Sequence, residues 1–407
     1  MDKLKGAAQA LMRDHVLCIL PWTHLHVRTN GDAHPCCAWR GPPLGNLRAA
    51  PPAAAWNSPR MKALRRDMLK GNPTAGCRDC YRLERSKSLS LRQEKNQFLA
   101  GHMDRIKLTA PDGELPALSL PLLDIRFSNV CNLKCRTCGP EQSSAWADDA
   151  RKLGAPAVGH AVRRAYEDWD VLLRQLEPLL EEGLEEIVFA GGEALVMEEH
   201  YRVLDFLLRK KLHGVRLHYI TNFSTLHFKG WDILDLWSRF EKVKVAASLD
   251  GSGRRGEYLR KGLNWDAVVS NREEMLKRCP GAEFNVSATL SAFNALHLPD
   301  FHREWTRRGY VKRDDFIINP LLEPEQYCAQ VLPPAMKRRA VQSYRRHRAA
   351  FPRACRAARE FAAAERFLAA KDAGHLLPGF VRMTRRLDSL RGESCARIFP
   401  ELAELFD

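Results

Sequence analysis

Hydrophobic positions in this chain follow two rhythms, and from residue 122 onward the rhythms alternate. Apolar residues at every second position, or in short continuous blocks, predict strands at 122–127, 186–190, 215–221, 242–248, 284–290 and 315–318. Between them, apolar residues three and four apart predict helices at 145–153, 162–181, 198–211, 233–239, 265–278 and 299–308. Six strand–helix units in succession predict an α/β fold, with a parallel sheet joined by right-handed crossovers.

The flanking segments read differently. Residues 19–28 alternate like a strand, and Asn30-Gly31 after them is a hairpin turn signal. Asn57 or Ser58 can cap a short helix that has Pro59 in its first turn and Met61, Leu64 and Met68 on one face. Residues 102–120 carry Pro111, Asp112-Gly113 and Pro116 and read as a linker. Beyond residue 333 the pattern is helical and alanine-rich, at 335–348 and 353–371 with Pro352 between. The expected organisation is a small module at 1–110, a larger α/β domain at 118–325 and a helical region at 326–407.

Composition narrows the class. The 407 residues are 45% hydrophobic, and no apolar run approaches the roughly 18 residues of a membrane span. Residues 1–20 show no apolar signal core or small-residue cleavage site, so a cytoplasmic location is expected. In that compartment, 12 cysteines point to metal or catalysis more than to disulfides. The net charge of +15 is concentrated between Met336 and Arg397, where 16 Lys and Arg stand against 5 Asp and Glu. Such a surface is either a solvated helical face or a site for an anionic partner: an acidic peptide, a nucleic acid or an acidic redox protein. The stretch lacks the interleaved aromatics of base stacking, which counts against nucleic acid.

The cysteine spacing carries the chemistry. Cys131, Cys135 and Cys138 follow the first strand of the alternating region at CxxxCxxC spacing. Three thiolates can hold three irons of a cubane cluster and leave the fourth iron open. Structural zinc prefers paired CxxC units and four ligands, and remains the alternative. The spacing resembles that of the radical S-adenosylmethionine (SAM) enzymes, although Thr137 stands where that family often has an aromatic residue. The resemblance implies a partial (β/α)6 barrel, a [4Fe-4S] cluster on these cysteines with SAM at the open iron, and cleavage of SAM to a 5′-deoxyadenosyl radical. Ligand sites in such barrels lie at the C-terminal strand ends, and motifs fall there. Gly191-Gly192-Glu193-Ala194 resembles the Gly-Gly-Glu-Pro turn that holds the amino group of SAM. By the same resemblance Asn222, Ser248 and Asp250 face the SAM ribose, Arg260 the methionyl carboxylate and Asn294 the adenine or ribose. Taken singly, each would be an ordinary turn or cap residue. Asn319 is expected to face substrate.

A second cysteine set lies upstream. Cys18 and Cys36 flank the predicted hairpin, and Cys77-x-x-Cys80 follows on a later loop. Four thiolates suit a fully ligated cluster or a structural zinc. Cys18, Gly31, Cys36 and the CxxC resemble the auxiliary-cluster module called SPASM, or its shorter form, twitch. Here the module precedes the barrel instead of following it, and no further cysteine comes just after Cys80, which fits the shorter form. Cys37 is left over and could substitute for Cys36. Cys328, Cys355 and Cys395 are isolated and read as inert buried thiols, or as a hydrogen-atom donor to a substrate radical. Cys279 reads as structural. The resemblance implies an auxiliary [4Fe-4S] cluster, an electron donor such as flavodoxin or ferredoxin, and a peptide or protein substrate. Alternatives are dehydrogenation or epimerisation of a small sugar or aminocyclitol, an RNA-binding or RNA-modifying protein, and a non-catalytic zinc-stabilised binding protein.

Overall fold

The computed structural model of the chain describes residues 16–85, 89–154 and 162–407. Its largest element is a nine-stranded sheet. The strands are β1 (His24–Val27), β2 (Asp32–His34), β3 (Gly45–Asn46), β4 (Leu122–Ile125), β5 (Glu186–Phe189), β6 (Arg216–Thr221), β7 (Val243–Ala247), β8 (Glu283–Leu290) and β9 (Phe316–Pro320). They lie in the order β9-β8-β7-β6-β5-β4-β1-β2-β3. The six strands expected from the alternating pattern are all present, and each pairs in parallel with its predecessor.

Side-chain alternation gives the sheet two unlike faces. One cross-strand row reads Val27, Ile125, Phe189, Tyr219, Val245 and Phe284. Helices cover it: Phe189 meets His200, Tyr219 meets Trp237 and Phe284 meets Trp305, with ring centroids 4.7, 5.0 and 6.4 Å apart. The neighbouring row, on the opposite face, reads His34, His26, Asp124, Val188, His218, Lys244 and Glu283. A polar row across a buried sheet is costly unless its groups are paired or used.

The N-terminal hairpin is not a separate layer. β1 pairs in parallel with β4 and antiparallel with β2, so the module extends the sheet of the larger domain. His24 Nδ1 lies 2.9 Å from the Leu122 carbonyl. The strand expected over 19–28 shortens to β1, because Leu20–Trp22 forms a 3₁₀ turn around Pro21. Gly31 sits in the hairpin turn at φ +87°, a conformation that favours glycine. The Pro59–Leu69 helix starts as expected, with Ser58 Oγ accepting from Met61 N at 3.3 Å.

Helix boundaries moved where a cap decides them. The helix expected from 162 begins only at Trp169, since Asp168 Oδ1 accepts from the backbone of Asp170 and Val171. The C-terminal region holds three long helices, Pro334–Ala349, Arg356–Ala370 and Leu377–Arg391. Tyr344 donates to the Ala295 carbonyl at 2.7 Å, which ties this region to the loop after β8. Among the described residues, no helix is long and apolar enough to cross a membrane.

Candidate active site

The loop after β4 is folded around its cysteines. Residues Lys134–Cys135 form a short ribbon with Arg260–Lys261, with Cys135 opposite Arg260. Leu133 N donates to Cys131 Sγ at 3.4 Å, Cys131 N to Ser144 Oγ at 3.3 Å, and Trp146 Nε1 to the Cys135 carbonyl at 2.9 Å. The neighbouring Cys138 thiol and the charge of Arg260 lower the Cys135 pKa against the cost of burial. Burial pushes Cys131 up to about 12, and the neighbouring charge of Glu193 adds to the rise. The loop also has a buttress. Arg136 is fully buried, with its guanidinium 3.6 Å from the Tyr258 ring centre. Its Nη2 lies 2.6 Å from Asp388 and 2.7 Å from Glu393. Beside it, Asp149 bridges Lys134 and Arg391 at 2.9 and 2.8 Å. The basic C-terminal region therefore clamps the cysteine loop with two of its five acids.

The Gly191-Gly192-Glu193 turn packs directly on this loop. Gly192 N donates to the Ser128 carbonyl at 3.0 Å and Glu193 N to the Val130 carbonyl at 2.8 Å. A Cβ on Gly192 would sit 2.1 Å from the Val130 oxygen, so close approach to the loop backbone requires glycine. Glu193 is 1% exposed. Its Oε1 accepts from Thr221 Oγ1 at 2.7 Å and Leu195 N at 3.0 Å, and its Oε2 from Asn222 N at 2.6 Å. Burial raises its pKa, and these donors oppose the rise. A carboxylate offers about four acceptor positions. Oε2 takes one bond from the described residues, which leaves it a position for an ammonium group. Asn222 Nδ2 reaches Asn132 Oδ1 inside the cysteine loop at 2.9 Å.

The other expected SAM contacts divide. Ser248 is half-buried at the end of β7; its N–H bonds the Thr221 carbonyl at 2.7 Å, and no described residue bonds its hydroxyl. Arg260 and Asp250 are turned to each other, with Nη2 to Oδ2 at 2.9 Å. Arg260 Nη1 also lies 3.6 Å from Cys135 Sγ, and Thr289 N donates to Asp250 Oδ1 at 2.8 Å. Arg260 Nε is buried and has no hydrogen-bond partner among the described residues. Asn294 departs from the expectation. It is fully buried, its Nδ2 bonds the carbonyls of Asp250 and Thr289, and its Oδ1 accepts from Ser291 N. Every polar end is used within the loop, so Asn294 braces Asp250 instead of facing a ligand. Asn319 bonds Ser287 Oγ at 2.9 Å and is exposed.

The upstream cysteines also converge. Burial raises the pKa of Cys36, and Cys37, Cys18, Cys77 and Cys80 are the charges that add to the rise. Burial likewise pushes Cys77 up to about 12. Cys37 also has Asp124, Arg126 and Lys95 among the charges that act on it. The Trp39 ring holds the CxxC loop: a Cβ on Gly76 would lie 2.3 Å from it, and Arg40 N bonds the Gly76 carbonyl at 3.0 Å. Among the described residues, no three cysteine sulfurs lie within 4.8 Å of one another. Four sulfurs on one tetrahedral zinc, each at about 2.3 Å, would be about 3.8 Å apart. The thiolate donors of both sets suit iron–sulfur clusters.

Sequence reasoning missed Thr221 as the donor to Glu193, the Arg136 buttress, and the polar row of His26, His34, Asp124 and Arg126. Alternation along β1 and β4 carried a signal for that row, because it sets polar side chains on one face of strands whose other face is apolar.

Residues 125–303 match the model of the radical SAM superfamily, and residues 18–81 match that of SPASM, an iron–sulfur cluster-binding domain. No curated protein matches the sequence. Among solved structures, native anSMEcpe with bound AdoMet is 20% identical, with a TM-score of 0.37 over 51% of this chain and 52% of that one. Streptococcus suis SuiB bound to precursor peptide SuiA is 17% identical, with a TM-score of 0.33 over 63% of this chain and 52% of that one. The chain thus spans about half the length of each of these proteins. The first domain implies a [4Fe-4S] cluster and SAM, and the second implies auxiliary iron–sulfur binding. The chain thus carries a radical SAM domain at residues 125–303, preceded by a SPASM-type cluster-binding domain at residues 18–81.

Proposed function

We propose that this chain is a radical SAM enzyme that removes a hydrogen atom from a ribosomally made peptide or a protein. The observation that carries the reading is the contact between the two SAM-side motifs. The Gly191-Gly192-Glu193 turn is bonded to the backbone of the Cys131 loop, and Glu193 is held beside Cys131 with an acceptor position to spare. A cluster with SAM on its open iron supplies the 5′-deoxyadenosyl radical when bound, which is chemistry no side chain provides. The protein's part is placement. Cys131, Cys135 and Cys138 would hold the cluster. Glu193, fixed by Thr221, Asn222 and Leu195, would receive the SAM ammonium, and the Ser248 hydroxyl a ribose hydroxyl. Arg260 keeps a buried, unpartnered Nε–H beside the cysteine loop while Asp250 fixes its fork. Cys18, Cys36, Cys77 and Cys80 would hold the auxiliary cluster. The SPASM-type domain supports a peptide or protein substrate. The exposed arginines of the C-terminal region support an acidic segment within it.

The test is anaerobic reconstitution with iron and sulfide counted per chain, followed by assay for 5′-deoxyadenosine from SAM under a strong reductant. Wild type should bind about eight irons and a Cys131/Cys135/Cys138→Ala variant about four, with nucleoside from wild type only. Zinc in place of iron, or no SAM cleavage by wild type, would sink the reading.

A further inference from the structure

Unmet buried polar atoms occur at many places among the described residues, and several of them are neighbours on one face of the sheet. His34 Nδ1 and Nε2, Asp124 Oδ1 and Arg126 Nε are all buried and lack a hydrogen-bond partner among the described residues. His34 is 2% exposed and Asp124 5%. They share a face of the sheet: His34 lies opposite His26, His26 beside Asp124, and Arg126 two residues further along the same strand direction. Asp124 Oδ2 is 2.8 Å from His26 Nδ1, an ion-pair distance without hydrogen-bond geometry, so His26 Nδ1 is unmet as well. Its other oxygen is 3.7 Å from Arg126 Nε, too far for a hydrogen bond. Unmet buried groups destabilise a fold unless a ligand or water uses them.

The surroundings indicate a ligand site. A Cβ on Gly191, in the SAM-side turn, would lie 3.6 Å from the Arg126 Cβ. At the other side, Cys37 is exposed and has Asp124, Arg126 and Lys95 as its charged neighbours. The patch therefore runs from the SAM-side turn to the chain segment that carries Cys36. Its free groups are mixed: Arg126 donates, Asp124 accepts, and His34 does one at each nitrogen. A carboxylate would meet the Asp124 charge, whereas an amide offers a carbonyl to Arg126 and an N–H to Asp124.

We propose that His34, Asp124 and Arg126 form a recognition site for a neutral amide of the substrate, a peptide unit or an Asn or Gln side chain, with Cys37 on its rim. This rests on the peptide reading above and names the part of the peptide that is held. Cys37 serves as the reporter. Reconstituted wild-type enzyme is treated with iodoacetamide and Cys37 labelling is followed by mass spectrometry, with N-acetylglycine N-methylamide as the amide probe and acetate as the control. The diamide should slow labelling about tenfold at ten times its dissociation constant, by mass action, and acetate should not. His34→Leu should abolish the protection. It should also raise the thermal midpoint, because it removes two unmet nitrogens; His34→Gln, which keeps polar atoms there, should not raise it. Labelling indifferent to the diamide, equal protection by acetate, or a midpoint lowered by His34→Leu would overturn the proposal. If His34→Leu does not fold, the wild-type labelling alone decides. Failure of wild type to cleave SAM would instead strike the enzyme assignment, since labelling needs no SAM.

Discussion

Arg136 gives the sharpest quantitative test of how the C-terminal region supports the cysteine loop. Its guanidinium is fully buried, and its charge is balanced by Asp388 and Glu393 at 2.6 and 2.7 Å. Asp388→Asn with Glu393→Gln keeps the shapes and removes both charges. Stripping the partners from a buried ion costs about 3–5 kcal/mol, because the remaining charge is uncompensated. The cation–π contact with Tyr258 would offset a small part of this, on the order of 1–2 kcal/mol. We therefore expect a loss of about 1–4 kcal/mol in anaerobic urea unfolding of the reconstituted protein. Adding Arg136→Met to the double variant should recover most of it, since an apolar replacement of a whole buried set is close to neutral. Arg136 directly follows Cys135, so chelator-driven iron release from this loop should accelerate in the double variant. A loss below about 1 kcal/mol with unchanged iron release would refute the idea that the C-terminal clamp holds the loop.

Three further outcomes follow from the geometry. Gly192→Ala places a Cβ 2.1 Å from the Val130 oxygen; SAM binding by isothermal calorimetry should be lost, while Gly71→Ala, at a position with open space but φ +74°, should affect only stability. Gly76→Ala drives a Cβ into the Trp39 ring at 2.3 Å, so iron counts should fall by about four per chain with nucleoside-forming iron retained. Burial lowers His24, His34, His297 and His347 from 6.5 to about 4. The unfolded chain therefore takes up protons first, and their contribution is complete above pH 6.5 and lost as pH falls toward 4. Each adds a slope of up to about 1.4 kcal/mol per pH unit in that window; a thermal midpoint flat between pH 7 and pH 5 would contradict this.

Strand positions were legible because the six parallel strands are buried and apolar on the helix-covered face, and turn residues bound them. The Cys131, Cys135 and Cys138 set stood out by its spacing, and the upstream set by its spacing together with its resemblance to the SPASM module. What the sequence did not show is long-range. Nothing local to residues 24–27 announces that they pair with 122–125, and so the module read as a separate unit. Asp250 and Arg260 were expected to face SAM, yet they lie within ion-pair reach of each other, a relation that depends on the 250–260 loop closing back on the Cys135 ribbon. Asn294 looked like a ligand residue because it follows a strand end, and its burial is set by the Asp250 and Thr289 carbonyls it bonds. The charge of the C-terminal helices read as surface, because the partners of Asp388 and Glu393 lie more than 250 residues upstream, at Arg136.

The pairing of β1 with β4 bears on how the chain reaches its fold. The two strands are separated by 98 residues at the His24–Leu122 contact, so during synthesis β1 must wait for β4 before that edge is satisfied. Contacts this distant slow folding. The dependence runs in both directions, for β4 without β1 would present an open strand edge, a template for intermolecular pairing. A truncated chain that begins at residue 118 should therefore self-associate, and the two cysteine sets should mature as one cooperative unit.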